Sequence, residues 1–177
     1  MRDGGENPVK FESRRKGGRG GAEVFSAEEL GKLRAAAGED LLAFVWLRWT
    51  GLRGSDATDL RWREGDLEAR EVNRVTQERK KLVIIPTPPE LFFVLEAEHD
   101  RRPDPDGHVL QNPATGEAMT RPGLYRRVKA LGVRAGAEDA HPHRFRDTLA
   151  CDLLTRGCTA YDVAQVLGDT VQAIEMH

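Results

Sequence analysis

At 177 residues the chain is long enough for one domain with a real core and too short for two of ordinary size. Charged residues make up 32% of it with nearly balanced signs, the apolar fraction is 39%, and the net charge is -2. That composition excludes a disordered polyelectrolyte, and the absence of a signal peptide or a bilayer-length apolar run points to a cytoplasmic protein with no membrane partner. The net charge argues mildly against a nucleic-acid binder, because neutralising phosphates takes clustered Lys and Arg. The acidic residues concentrate at Glu96, Glu98, Asp100, Asp104 and Asp106, however, which leaves basic clusters at Arg14 to Lys16, Arg79 to Lys81 and Arg126 to Lys129.

Residues 1–24 are rich in Gly, Arg and Lys with almost no apolar periodicity, which predicts a flexible basic arm, either a DNA-backbone contact or a solvated linker. Order is predicted from Phe25 onward. Ser26 and Glu29 form a capping box, Phe25 and Leu30 stand at the spacing of a hydrophobic staple, and Gly38 stops the helix. The segment from Asp40 to Thr50 is apolar on most sides and reads as a core helix ended by Gly51, with Ser55 placed to cap a third helix through Leu60. Between Trp62 and Pro86 the period changes. Gly65 marks a turn, and the β-branched runs Val72 to Thr76 and Leu82 to Ile85 predict a hairpin beside a short leading strand.

Thr87 and Glu90 have capping-box spacing, with Pro at the first helical position, and open a helix through Leu95. A Pro, Asp and Gly loop runs from Arg102 to about Ala118. Helices follow at Thr120 to Leu131, at about His143 to Arg156 and at Thr159 to Leu167, ended by Gly132, Gly157 and Gly168. The fold class expected is mainly α with one small antiparallel β-sheet. Cys151 and Cys158 lack any metal-site spacing, also when His141 and His143 are counted, and read as two reduced thiols.

Two segments depart from what packing requires. Thr50-Gly51-Leu52-Arg53 is a tight turn between two helices that holds Arg53 at a rigid junction, suited to a phosphate or, more plainly, to a tie with Asp56. His143 and Arg146 are three apart at a helix start, with Phe145 and Leu149 on the other face, so an imidazole and a guanidinium meet at the positive end of a helix. The plainer alternative is a surface His and Arg with no shared task.

Together these segments resemble the catalytic domain of the tyrosine recombinases, or phage integrases, from Phe25 to the end. The match rests on Thr50-Gly51-Leu52-Arg53 with Asp56 and Leu60-Arg61-Trp62, on His143-x-x-Arg146 with Thr148 after it, on their separation of about 90 residues, and on the hairpin between them. The resemblance implies site-specific DNA recombination through a 3′-phosphotyrosyl intermediate, on double-stranded DNA, with no metal or nucleotide cofactor. It implies that Arg53 and Arg146 stabilise phosphate charge, that His143 assists proton transfer and that a hairpin lysine protonates the leaving 5′ oxygen. Family members act as tetramers on DNA, and the isolated chain is expected to be a monomer.

Three positions depart from the family pattern. The family's spacing to the lysine lands on Glu78, or on Arg79 in a hairpin shortened by one, and the assignment adopted is Lys80, with Lys81 its neighbour. The family's Leu-Gly-His segment reads Leu167-Gly168-Asp169, where an acceptor replaces a donor, so Asp169 is expected to line the site. The nucleophilic tyrosine would fall one position past His177, and Tyr125 and Tyr161, placed elsewhere in the order of motifs, are not its substitutes. The expectation is therefore a catalytic-domain fragment truncated at its C-terminus. The alternative is a noncatalytic DNA-binding or regulatory module derived from a recombinase.

Overall fold

The computed structural model describes residues 23–176, so the basic arm predicted over residues 1–24 lies outside it except for Glu23 and Val24. The described chain is mainly helical with one small antiparallel sheet. Helix α1 (Ala27–Ala36) starts at the predicted capping box, with Ser26 accepting from the Glu29 N–H and Glu29 from the Ser26 N–H. Helix α2 (Leu41–Thr50) is buried along most of its length and ends at Gly51.

Helix α3 (Gly54–Asp59) begins two residues earlier than the sequence pattern suggests. Arg53 stands at its cap position without a side-chain cap, and Ser55 lies inside the helix. Strands β1 (Gly65–Asp66), β2 (Glu71–Val75) and β3 (Leu82–Pro86) form a meander in which Val72 pairs with Ile85 and Arg74 with Val83. Val72, Arg74, Val83 and Ile85 face inward, and Val75, Leu82 and Ile84 are exposed, the alternation expected of a sheet with one wet face.

Helix α4 (Pro89–Arg101) starts on a proline one residue later than the Thr87 cap implies, with Pro88 at the cap position, and the Thr87–Glu90 box does not form. The Glu90 carboxylate is taken by Arg34 at 2.5 Å and by the Trp49 indole N–H at 2.9 Å, and those tertiary partners outcompete a local cap. Helix α5 (Arg121–Ala135) runs through Gly132 and stops at Gly136. Helix α6 (Pro142–Thr155) is followed by α7 (Ala160–Leu167), which opens on the predicted Thr159–Asp162 box, and by α8 (Val171–Glu175), which the sequence reading did not foresee.

Two apolar clusters result. The larger joins α1 to α5, the sheet and Phe145, and the smaller joins Leu149, Ala150, Val163, Ala164, Leu167 and Ile174 from α6, α7 and α8. The start of the described chain is fastened to α6. Phe25 packs on Phe145 with ring centroids 4.6 Å apart, its N–H donates to Thr148 Oγ1 at 2.9 Å, and Arg144 lies over its ring while pairing with Glu29. Among the described residues no helix is long and apolar enough to cross a membrane, and Cys151 and Cys158 are free thiols.

Candidate active site

The turn that carries Arg53 is built at the seam between the two clusters. Gly51 has φ +59°, and a Cβ there would stand 2.4 Å from a Leu167 methyl, so both backbone conformation and space require glycine. Thr50 is fully buried; its hydroxyl donates to Trp46 O at 2.7 Å and accepts from the Leu52 N–H at 3.3 Å. Leu52 is buried beside it, and Arg53 follows in extended backbone with its side chain half-buried.

Helix α6 brings the second segment to the same seam. His141 caps it, its Nδ1 accepting from the Arg144 N–H at 3.2 Å. Burial and then the neighbouring charge of His143 pull the His141 pKa down, which favours the neutral ring that this acceptor role needs. His143 and Arg146 share the helix start but not the same surroundings. The His143 side chain is 63% exposed, with Nε2 3.4 Å from Asp147 Oδ1. Arg146 is 3% exposed and donates to Gly51 O at 2.6 Å and to Leu167 O at 2.9 Å. The pair expected to be presented together is thus divided: the imidazole faces solvent and the guanidinium lies beneath, holding the turn that carries Arg53.

Asp169 gathers the cations. Its Oδ2 accepts from Arg146 at 2.8 Å and from Arg53 at 3.0 Å, and its Oδ1 accepts from the Thr170 N–H at 3.0 Å and lies 3.3 Å from Arg79. Burial by itself would raise the Asp169 pKa. The hydrogen bonds from Arg146 and the Thr170 amide, with the charges of Arg146 and Arg53, outweigh it and hold the carboxyl below its ordinary range. For Arg146 burial is the stronger influence and lowers its pKa, opposed by the bond to Asp169. Asp56, the partner considered for Arg53, is instead engaged by Arg74 at 3.3 Å and by the Gln77 N–H at 2.9 Å.

The hairpin tip reaches the cluster through residues other than the one assigned from sequence. Glu78 Oε2 lies 2.8 Å from Arg53 Nε, and Arg79 contacts Asp169. Lys80 sits in the turn at φ +50°, exposed, its N–H donating to Thr76 O at 2.9 Å, and no described contact joins its ammonium to Arg53 or Asp169. The tip is positioned by Arg74, a buried residue of β2 that also meets Asp59 at 2.8 Å and Glu64 at 3.0 Å.

Above Arg53 opens a cleft of about 790 Å³, lined in part by Arg53, Arg121, Tyr125, Arg126, His141 and His143. Its cationic and aromatic wall suits an anionic polymer that offers phosphates and flat bases. Arg146, Asp169 and Lys80 do not line it. Of the α5 residues, Arg126 belongs to the basic cluster read from sequence, whereas Arg121 was not singled out and Tyr125 was named only to set it aside as a nucleophile, although the two stand at the i, i+4 spacing that puts them on one helix face. In the neighbouring basic cluster, Arg127 is committed to Glu39 and Asp40, and Lys129 to Glu138 O.

Residues 23–173 match the model of the phage integrase family. The tyrosine recombinase XerC of Xanthomonas axonopodis pv. citri (strain 306) is 30% identical over 120 residues, which cover 67% of this chain and 39% of that protein. The crystal structure of XerA recombinase superposes with a TM-score of 0.77 at 23% identity, over 86% of this chain and 58% of that one. The XerH site-specific recombinase bound to its difH substrate gives 0.71 at 19% identity, over 87% and 50%. The chain thus spans between about two fifths and three fifths of the relatives it matches. With the Arg53 turn, the hairpin and the His143–Arg146 helix converging on one cleft in the order the family requires, the chain belongs to the phage integrase family.

Proposed function

We propose that this domain binds double-stranded DNA with a backbone phosphate at Arg53 and His143, and that it is the strand-cleaving and rejoining part of a site-specific recombinase. The observation that supports this most is the shared Asp169 oxygen, which draws the guanidiniums of the turn and of the His-x-x-Arg segment to one point beneath the cleft. The DNA-bound XerH relative supports the choice of partner.

In this reading a tyrosine hydroxyl attacks the phosphorus, the new O–P bond forms as the bond to the 5′ oxygen breaks, and the phosphodiester energy is kept for rejoining. Arg53 donates to the nonbridging oxygens, where fixed donors act most strongly on developing charge. Arg146 holds the turn and adds positive charge from beneath. His143, exposed at the cleft, moves the proton of the attacking hydroxyl or of the phosphate. For the leaving oxygen the hairpin offers two cations. Lys80, an ammonium, is assigned the proton transfer, and Arg79, a guanidinium, stabilises charge. The attacking hydroxyl is assigned to the position after His177, not to Tyr125 or Tyr161, and self-association on DNA follows the family.

A second reading, a noncatalytic DNA-binding module, draws support from the two carboxylates, Asp169 and Glu78, that occupy Arg53. The test of the shared claim is binding of a fluorescein-labelled duplex, followed by anisotropy across a salt series. Arg53→Gln is expected to weaken binding about tenfold and to reduce the salt slope by about one. Unchanged affinity and slope would remove Arg53 from the phosphate site. The two readings part on covalent chemistry. With a tyrosine-bearing extension joined after His177, a suicide substrate traps a protein–DNA adduct in the first and none in the second.

A further inference from the structure

Arg53 is held from two sides by carboxylates of different kinds. From beneath, Asp169 takes its NH2 at 3.0 Å; this carboxylate is 11% exposed and is shared with Arg146, so its departure would strip two guanidiniums at once. From the cleft, Glu78 takes its Nε at 2.8 Å; that side chain is 58% exposed and comes from the hairpin tip. The remaining nitrogen, NH1, is buried with no hydrogen-bond partner among the described residues. The edge of a guanidinium that binds an oxyanion in bidentate fashion presents two parallel N–H groups, and on Arg53 the Nε–NH2 edge is faced by both carboxylates, Asp169 through a hydrogen bond to NH2 and Glu78 as an ion pair beside Nε. A phosphate arriving from the cleft meets Glu78 first.

We propose that Glu78 is an internal competitor for the phosphate, an affinity-setting residue that occupies Arg53 in the free protein and swings into solvent when DNA binds. The inference rests on the reading of Arg53 as the phosphate ligand. Exposure makes Glu78 the carboxylate that is able to leave, and Asp169 the one that stays. The release is a side-chain event, because the hairpin keeps a second hold on the cluster through Arg79 and Asp169. Its backbone is fixed separately by Arg74 and by the bond from the Gln77 N–H to Asp56. Once displaced, Glu78 remains beside the phosphate as a like charge, which adds to the cost of binding.

The test is a double-mutant cycle on the full chain, read as affinity for a labelled duplex of mixed sequence at low salt, with thermal melts to establish folding. Glu78→Gln keeps the shape and removes the charge, and is expected to tighten binding about threefold to tenfold. Glu68→Gln removes the same charge from an exposed turn between β1 and β2 and is expected to change affinity less than about twofold. In an Arg53→Gln background the gain from Glu78→Gln is expected to vanish. If Glu78→Gln behaves like Glu68→Gln while Arg53→Gln weakens binding, this inference falls and the phosphate site stands. A gain that persists undiminished without Arg53 also overturns it, since Glu78 would then act only as general charge. If Arg53→Gln leaves affinity unchanged, the phosphate site and this inference fall together.

Discussion

A guanidinium is the one side chain that spans three acceptors in a plane, and Arg146 uses that shape fully. Its two terminal nitrogens reach Gly51 O, Leu167 O and Asp169, which lie on α2's end, α7's end and the loop after it. A lysine there keeps the charge but not the fork, so at least one buried carbonyl would lose its donor. Arg146→Lys is expected to lower stability by about 2 kcal/mol, seen as a lower urea midpoint with an unchanged slope. A midpoint equal to that of the unaltered protein would mean that the ammonium, or water, satisfies the same acceptors. At this scale the sequence was legible as far as residue type and order. Arg53, His143 and Arg146 are readable from motif spacing, but burial depends on what the rest of the chain lays over them. Nothing in His143-x-x-Arg146 says that the arginine ends beneath Leu167 and Gly51 while the histidine stays in solvent. The partners of Arg53 were hidden for the same reason, since Glu78 and Asp169 reach it only through tertiary folding.

Elements whose start is encoded locally, such as α1 and α7, appear where their capping boxes predict them. Elements decided by tertiary contacts do not. The Thr87–Glu90 spacing is that of a box, yet Glu90 is claimed by Arg34 and Trp49. Gly132 reads as a helix stop but lies within α5, because its value is space and not a break. A Cβ there would come within 2.4 Å of Ala137 O and 2.6 Å of the Ala140 methyl, so glycine lets the chain fold back tightly after the helix. Gly132→Ala therefore sets two effects against each other. Helix propensity favours alanine by about 1 kcal/mol, and overpacking against backbone opposes it by about 1–3 kcal/mol. Because the clash is with a carbonyl oxygen, which cannot rotate away as a side chain can, packing is expected to win. The variant should melt below the unaltered protein by a few degrees in a calorimetric scan, and a higher melting temperature would show that the turn at 136–140 relaxes without cost.

Across the whole molecule, carboxylates paired with arginines fasten distant parts of the chain. Glu29 joins α1 to α6 through Arg144, Glu90 joins α4 to α1 through Arg34, and Asp59 joins α3 to β2 through Arg74. Asp169 joins the end of α7 to the Arg53 turn, to α6 and to the hairpin. Each of these four carboxyls has its pKa lowered in the folded state. For Glu29, Glu90 and Asp169 burial acts in the raising direction and is outweighed by hydrogen bonds and arginine charge, and for Asp59 the bond from Arg74 leads. A folded pKa below the unfolded one means that the unfolded chain binds the proton first. The stabilisation is therefore present above the unfolded value, near 4, and is lost as pH falls through the folded value. Stability should decline on the acid side of that range, and the share belonging to Asp169 can be isolated. Asp169→Asn removes one titrating group, so its ΔG against pH is expected to fall less steeply, by at most about 1.4 kcal/mol per pH unit for one proton. Asparagine also leaves Arg53, Arg146 and Arg79 without their shared anion, so the variant should be less stable at neutral pH and approach the unaltered protein as acid protonates Asp169 there. Urea titrations of both proteins from pH 7 to pH 3 measure this directly. Parallel curves would mean that Asp169 titrates alike in the folded and unfolded chains, and that the three arginines are held by something other than its charge.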